Sequence, residues 1–212
     1  MITVVSDLRA EFPGVRDQGD RPTCLAFATS AANGAAHRVG EHLSVEYLYY
    51  KAVQHEGVGP DDGSCFPSTL KVLDRIGQPK EAEWPYAPHG PVDASTWVPP
   101  HISGTLYRNG SWLNGSGVGE VVSELTARRP VLIGMSISNA FLQPNEHGVV
   151  DRPEPLDPAR LHAVVAVGHG YLRHSTYVLV RNSWGAEWGQ HGHAWLSGGY
   201  LGPRLMVAAV LA

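Results

Sequence analysis

The run DQGDRPTCLAFATSAANGAAH, Asp17 to His37, places a cysteine directly after Arg21-Pro22-Thr23 and follows it with small and apolar residues. From Thr23 onward the run reads as a helix, with Thr23 placed to cap it and Cys24 in its first turn. N–H groups in a first turn have no partner inside the helix and lie at the positive end of its dipole. A thiol held there is biased toward thiolate, the nucleophilic form. A single cysteine is more commonly a small buried hydrophobe, so the neighbours have to decide. Gln18, six residues earlier in a polar loop, is one such neighbour. Its amide and the Cys24 N–H can together form an oxyanion hole, although a lone loop glutamine is more often solvated surface.

Working outward, SVEYLYYKAVQHEG (Ser44–Gly57) carries aromatics and Leu at helical spacing between a capping Ser44 and a stopping Gly57. PSTLKVLDRIGQP (Pro67–Pro79) reads the same way and ends at Gly77. Tyr86 to His101 is Pro-rich and reads as extended connection. GEVVSELTARRP (Gly119–Pro130) is one more short helix. Val131–Ile137, His162–Leu172, Thr176–Trp184 and His193–Ser197 are then short runs of Val, Ile, Leu and Tyr bounded by turn formers, which read as strands. Helices first and strands second predict an α+β chain with two unlike lobes. The expected division is a helical lobe over about residues 10–105 and a β-rich lobe over about 106–212, with a cleft between them where ligands bind.

Composition narrows the function. The net charge of −4 comes with no block of one sign, so neither nucleic acid nor a membrane is the expected partner. No stretch is long and apolar enough to span a bilayer, and Met1 leads into ITVVSDLRAEFPG rather than a signal peptide. The two cysteines, Cys24 and Cys65, are therefore expected to stay reduced, in a cytoplasmic protein. Delivery by a specialised secretion route is compatible with the same start. Neither metal nor cofactor is called for, and nothing fixes the oligomeric state.

Two further residues join Cys24 and Gln18. His162 opens an apolar run, where it can face a cleft as general base, although a strand-end histidine is commonly satisfied by a carbonyl. His169, in an expected turn, and His147, in a polar loop, are the less constrained rivals. Asn182 ends YVLVRNSWG; its carbonyl can hold an imidazole in orientation, and Trp184 can shield that bond. Packing is the plainer reading of Trp184 and Trp188. Gln, Cys, His and Asn in that order form a hydrolase constellation.

On these residues the chain resembles the papain-like cysteine peptidases over roughly Val15 to Leu205. DQGDRPTCLAFA is similar to the family's glutamine-to-cysteine segment. DGSCFPSTLKVLDRIGQPKEAEWPY (Asp62–Tyr86) resembles its substrate loop and next helix. LHAVVAVGHGY is similar to the histidine strand, and VLVRNSWGAEWGQHGHAWLS (Val178–Ser197) is the most specific match. LSVEYLYY and EWPY are most like bacterial, xylellain-like members. The resemblance implies a papain-like two-lobed fold, helical on the left and β-barrel-like on the right. It implies Cys24 as nucleophile, His162 as acid and base, Asn182 as orienting group and Gln18 as oxyanion donor, acting on a peptide or protein through an acyl-thioester. Other acyl transfer, deamidation or isopeptide cleavage would use the same residues, and a non-catalytic binding module is the remaining alternative.

The same resemblance places Gly63 and Ser64 as backbone partners of an extended peptide, and Cys65, Phe66, Met135, Ala163 and Trp184 around the substrate. Core packing is the plainer reading of Phe66, Met135 and Ala163, and Leu161 receives no role. Three departures stand out. Arg21-Pro22-Thr23 replaces the family's Cys-Gly-Ser, so the loop disulfide is missing and Cys65 has no partner. Leu25 replaces the aromatic after the nucleophile. The resemblance would place an inhibitory propeptide ahead of this region, and the short stretch before Val15 is not expected to supply one.

Overall fold

The computed structural model describes residues 1–91, 93–114 and 117–212; Val92, in the Pro-rich connection, lies outside them. Three helices occupy the first half of the chain: α1 (Cys24–Ala36), α2 (Val45–Glu56) and α3 (Phe66–Arg75). The sequence signals act as expected in α2. The Ser44 hydroxyl accepts the Tyr47 N–H, and Gly57 closes the helix at φ +74°, a conformation that costs other residues steric strain. Thr23 differs. It occupies the cap position of α1, but its side chain makes no cap bond and pairs with the Tyr86 hydroxyl at 2.8 Å instead.

The strands are β1 (Thr3–Asp7), β2 (Ser111–Asn114), β3 (Val131–Ser136), β4 (Val149–Val150), β5 (Leu161–Leu172), β6 (Ser175–Arg181), β7 (His193–Ser197) and β8 (Leu205–Leu211). They form one eight-stranded sheet in the order β2-β8-β3-β5-β6-β7-β4, with β1 added on β5. Three short helices accompany it: α4 (Val118–Thr126), α5 (Asn139–Leu142) and α6 (Gly198–Leu201). The architecture is α+β, as the order of helical and extended patterns predicts. The sequence reading missed β1, β2, β4 and β8. β1, TVVSD, is short and exposed at its first three residues, which blurs its pattern; β8, LMVAAVL, is an apolar run throughout, with Met206 exposed near its start.

His169 is not in a turn. It lies inside β5, 2% exposed, with Nε2 against the Thr126 hydroxyl at 3.0 Å. His147 sits exposed in the turn before β4, as its polar surroundings suggest. One continuous apolar core joins helix residues such as Ala26, Leu48 and Leu73 to sheet residues such as Val165 and Val180. The small residues of α1 serve this contact: Ala26, Ala28 and Ala32 are buried, and the helix packs closely against β5.

Candidate active site

Backbone pairing brings the two halves of the site together. The β3–β5 register sets Met135 opposite His162 and Gly134 opposite Ala163. The loop before α1 is zipped to the segment after β6. Gln18 N–H donates to Ser183 O at 2.8 Å, Gly185 N–H donates to Arg16 O at 3.1 Å, and Asp17 bridges Trp184. This fixes Gln18 beside Asn182 although 164 residues of sequence order separate them.

His162 and Asn182 form a buried pair, with His162 Nε2 at 2.7 Å from Asn182 Oδ1. The Ser183 N–H also donates to Oδ1, at 2.9 Å, which identifies that atom as the carbonyl oxygen because a backbone N–H can only donate. Nε2 therefore carries the imidazole proton, and in the neutral ring Nδ1 is the free base. Trp184 lies over His162 with ring centroids 4.6 Å apart. Phe141 closes another side at 5.7 Å and is itself packed on Trp184 and Trp188. This aromatic cover excludes water from the pair. Phe141 was invisible in the sequence, since nothing in SNAFLQ separates it from ordinary packing.

Gln18 is 7% exposed and held at both ends. Its Oε1 accepts from Ser183 Oγ at 2.6 Å, and its Nε2 donates to Arg21 O at 2.8 Å. One amide hydrogen is left for a substrate oxygen. As the first residue of α1, Cys24 also has an N–H with no partner inside the helix.

Burial pushes the Cys24 thiol up; the N–H groups of Ala163, Leu25 and Cys24 itself act in the opposite sense. The bias expected from the helix end is thus real but smaller than the desolvation. Burial also drives His162 down to about 4, against the opposing bond from Asn182. Each charge alone is disfavoured here. Moving one proton from Sγ to the imidazole creates both charges at once, and their mutual attraction then offsets the desolvation of each.

Cys24 and His162 open onto one groove of about 650 Å³. Gly63, Ser64, Cys65, Phe66, Met135 and Ala163 all line it. So do Leu161, 58% exposed, and Met206 and Val207 of β8, which the sequence reading did not assign. Phe66 reaches across from α3 to the sheet: a Cβ at Gly134 would stand 2.7 Å from its Cε2 and 2.6 Å from Val207 Cγ1. The missing side chain at Gly134 is the seat of the Phe66 ring.

Two expectations are corrected. The Gly63 N–H is taken by the Tyr49 hydroxyl at 3.2 Å, so Gly63 lines the groove without offering that donor to a peptide. Trp184 does not line the groove; it covers the His162–Asn182 pair. Cys65 and Cys24 are both free thiols. Titration of the denatured, non-reduced protein is expected to find two thiols, and a smaller number would contradict this arrangement.

The structure also accounts for Arg21-Pro22-Thr23. Arg21 is buried and its Nη1 bonds Glu46 Oε2 of α2 at 2.6 Å and Ala87 O at 2.8 Å. Its guanidinium lies over Tyr49, Tyr86 and Trp97 at 5.1 to 5.6 Å from their ring centres. The Tyr86 hydroxyl donates to Gln18 O at 2.7 Å, and Arg21 O holds the Gln18 amide. An ion pair in an aromatic box thus anchors the loop that carries Gln18 and Cys24.

A cysteine at a helix start and a histidine–asparagine pair on the facing sheet define the class of Cys–His–Asn proteins of α+β fold. The family model for papain family cysteine proteases matches residues 5–202, and the chain belongs to that family. A cysteine protease of Blomia tropicalis is 25% identical over 91% of this chain, and a cathepsin L-like proteinase of Fasciola hepatica is 24% identical over 84%. The chain spans 60% and 55% of the length of these two relatives. Among solved structures, xylellain, a cysteine protease from Xylella fastidiosa, superposes with a TM-score of 0.82 at 25% identity, covering 100% of this chain and 86% of that one. A Carica candamarcensis cysteine protease, solved in complex with E-64, shares the fold at a TM-score of 0.74 and 21% identity, covering 97% and 96%.

Proposed function

We propose that the chain is a cysteine peptidase in which Cys24 is the nucleophile, His162 the acid and base, Asn182 the orienting group and Gln18 an oxyanion donor. The observation that carries this reading is the buried His162–Asn182 bond opening onto the same groove as Cys24. Sγ attacks the scissile carbonyl as its proton passes to His162 Nδ1. The carbonyl oxygen takes up charge between the Gln18 amide and the Cys24 N–H. The tetrahedral centre collapses, the C–N bond breaks, and the imidazolium gives its proton to the leaving amine. Water, deprotonated by His162, then attacks the thioester and releases the acid and the thiol.

Apolar walls from Phe66, Met135, Ala163 and Val207 favour an apolar side chain of the peptide, with Ser64 beside its backbone. The reading extends to residues 1–212 as one two-lobed unit, supported by the single core that joins helices and sheet. It also extends to a bacterial source and a cytoplasmic location, supported respectively by the likeness to xylellain and by two unpaired cysteines.

The neutral and charged forms of the Cys24–His162 pair hold the same number of protons, so both are available over one pH window. Activity is expected to trace a bell. Its acid limb lies near the His162 value of about 4, and its alkaline limb lies above the ordinary thiol range. Stability runs alongside: His42, His162 and His193 are all lowered from 6.5 to about 4 by burial. The unfolded chain then binds more protons, so this stability is complete above pH 6.5 and is lost as pH falls toward 4. Turnover and thermal unfolding measured across pH, with a thiol-directed peptidyl electrophile labelling Cys24, test the proposal. A flat profile in the range where the fold is intact, or no labelling, would count against it.

A further inference from the structure

Behind the catalytic pair lies a second, much smaller cavity of about 30 Å³, lined by Arg16, Arg181, His42, Asn182 and Ser183 among others. Arg181, at the end of β6, is 7% exposed. It donates from Nη2 to Gly14 O at 2.6 Å and lies over the Phe12 ring at 5.6 Å. No carboxylate pairs with it among the described residues. A buried guanidinium has five N–H donors and a full charge, and leaving that charge unpaired is costly.

The charges around the cavity do not cancel. Arg16 is already matched, with Nη2 and Nη1 on the two oxygens of Glu81 at 2.5 and 3.0 Å. Glu41, at the rim, pairs with Lys80 at 2.6 Å on the surface. His42 is pushed down to about 4 by burial, with Arg16 and Arg181 adding to it, so it stays neutral and brings no negative charge. The balance of Arg16, Glu81 and Arg181 is one uncompensated positive charge. Asn182 adds a second sign. Its Oδ1 is used by His162 and the Ser183 N–H, while its Nδ2 is buried and has no acceptor.

We propose that this cavity is a binding site for a small monovalent inorganic anion of the halide class, held by Arg181 and by the amide of Asn182. A volume of about 30 Å³ suits one or two water-sized occupants, where a single water needs about 10–15 Å³, which favours a monatomic anion over a larger organic acid. The anion supplies the missing countercharge to Arg181 and an acceptor for Asn182 Nδ2. By holding that amide it also holds Oδ1 toward His162. Binding itself is independent of the peptidase reading, and only this last consequence rests on it.

The test is thermal unfolding at constant ionic strength, with sodium bromide or chloride replacing sodium gluconate, for the unaltered protein and for Arg181→Gln. A halide at about ten times its dissociation constant is expected to raise the Tm by roughly 3–6 °C. Arg181→Gln should abolish the difference between halide and gluconate. Crystals of the unaltered protein soaked in bromide give the second measurement, with an anomalous peak expected beside Arg181. Coincident bromide and gluconate melting curves would overturn the proposal. So would diffraction showing water alone in the cavity, even if the Tm responds, because the ion would then sit elsewhere.

Discussion

Cys24→Ala is expected to lower peptide turnover by a factor on the order of 10⁶ while leaving the melting temperature within about 2 °C. The size follows from the way such sites work: nucleophile and base act as a unit, and losing either removes nearly all the acceleration they supply together. The near-unchanged stability follows from the position. Cys24 is the first residue of α1, only partly buried, and beside it stands the Ala163 N–H. Alanine is a good helix former, has no polar atom to leave unpaired, and removes a single sulfur. The Gln18 bonds to Ser183 and Arg21 do not involve Cys24, so the oxyanion donor stays in place. What is left is the contribution of Gln18, of the helix-start N–H and of binding, which keeps some rate above that in water. Single-turnover kinetics on a peptide with an apolar residue for the groove, with circular dichroism on the same sample, separates the two effects. A variant that still turns over peptide at more than about a thousandth of the starting rate would remove Cys24 from its assigned role.

How much of this was legible in the sequence depends on the kind of interaction. Local signals read well: Ser44 and Gly57 bound α2 because a hydroxyl cap and a left-handed glycine act within a few residues. Cys24, His162 and Asn182 stand out through their order, their helix-start, strand-start and strand-end settings and the family resemblance together, each being ambiguous alone. The structure joins His162 to Asn182. Contacts between distant segments read poorly. Nothing near Gln18 reveals that Ser183 will grip its amide, and nothing in SNAFLQ reveals that Phe141 will close over His162. Thr23 has the right residue type for a cap, yet Tyr86 offers its hydroxyl a partner from another segment, and that contact wins. The Gly170-Tyr171 that follows His169 suggests a turn, yet Gly168 and Gly170 stand on either side of it within a strand. In β5 those glycines are where β1 crosses: a Cβ at Gly168 or Gly170 would stand 2.5 Å from a β1 carbonyl oxygen. The glycines mark a close approach of backbones rather than a bend.

The unusual loop before Cys24 leads to the second large expectation: Glu46→Ala should destabilise the fold by about 3–5 kcal/mol. Both oxygens of Glu46 are engaged. Oε2 accepts from Arg21 Nη1 and from the Ala87 N–H, and Oε1 accepts from Trp97 Nε1 at 2.6 Å. Removing the carboxylate strands a guanidinium that is already short of partners, since Arg21 Nε and Nη2 are buried without acceptors. Three aromatic faces around Arg21 soften the loss but supply no anion. For a chain of this size the change corresponds to a fall in Tm of roughly 6–20 °C. The double change Arg21→Met with Glu46→Leu should recover only the part that comes from the stranded guanidinium, because it removes both charges together but leaves the Ala87 N–H and Trp97 Nε1 without an acceptor. Activity need not recover with stability. Arg21 O fixes the Gln18 amide and Tyr86 fixes Gln18 O, so a loop that is stable but set differently shows its fault in kcat rather than in KM. Denaturant unfolding of the single and double variants, with kcat and KM on the same preparations, distinguishes the two roles. A Glu46→Ala protein within about 1 kcal/mol of the starting stability would mean that the aromatic box alone carries Arg21. The buried pair would then not be the brace of this active-site loop.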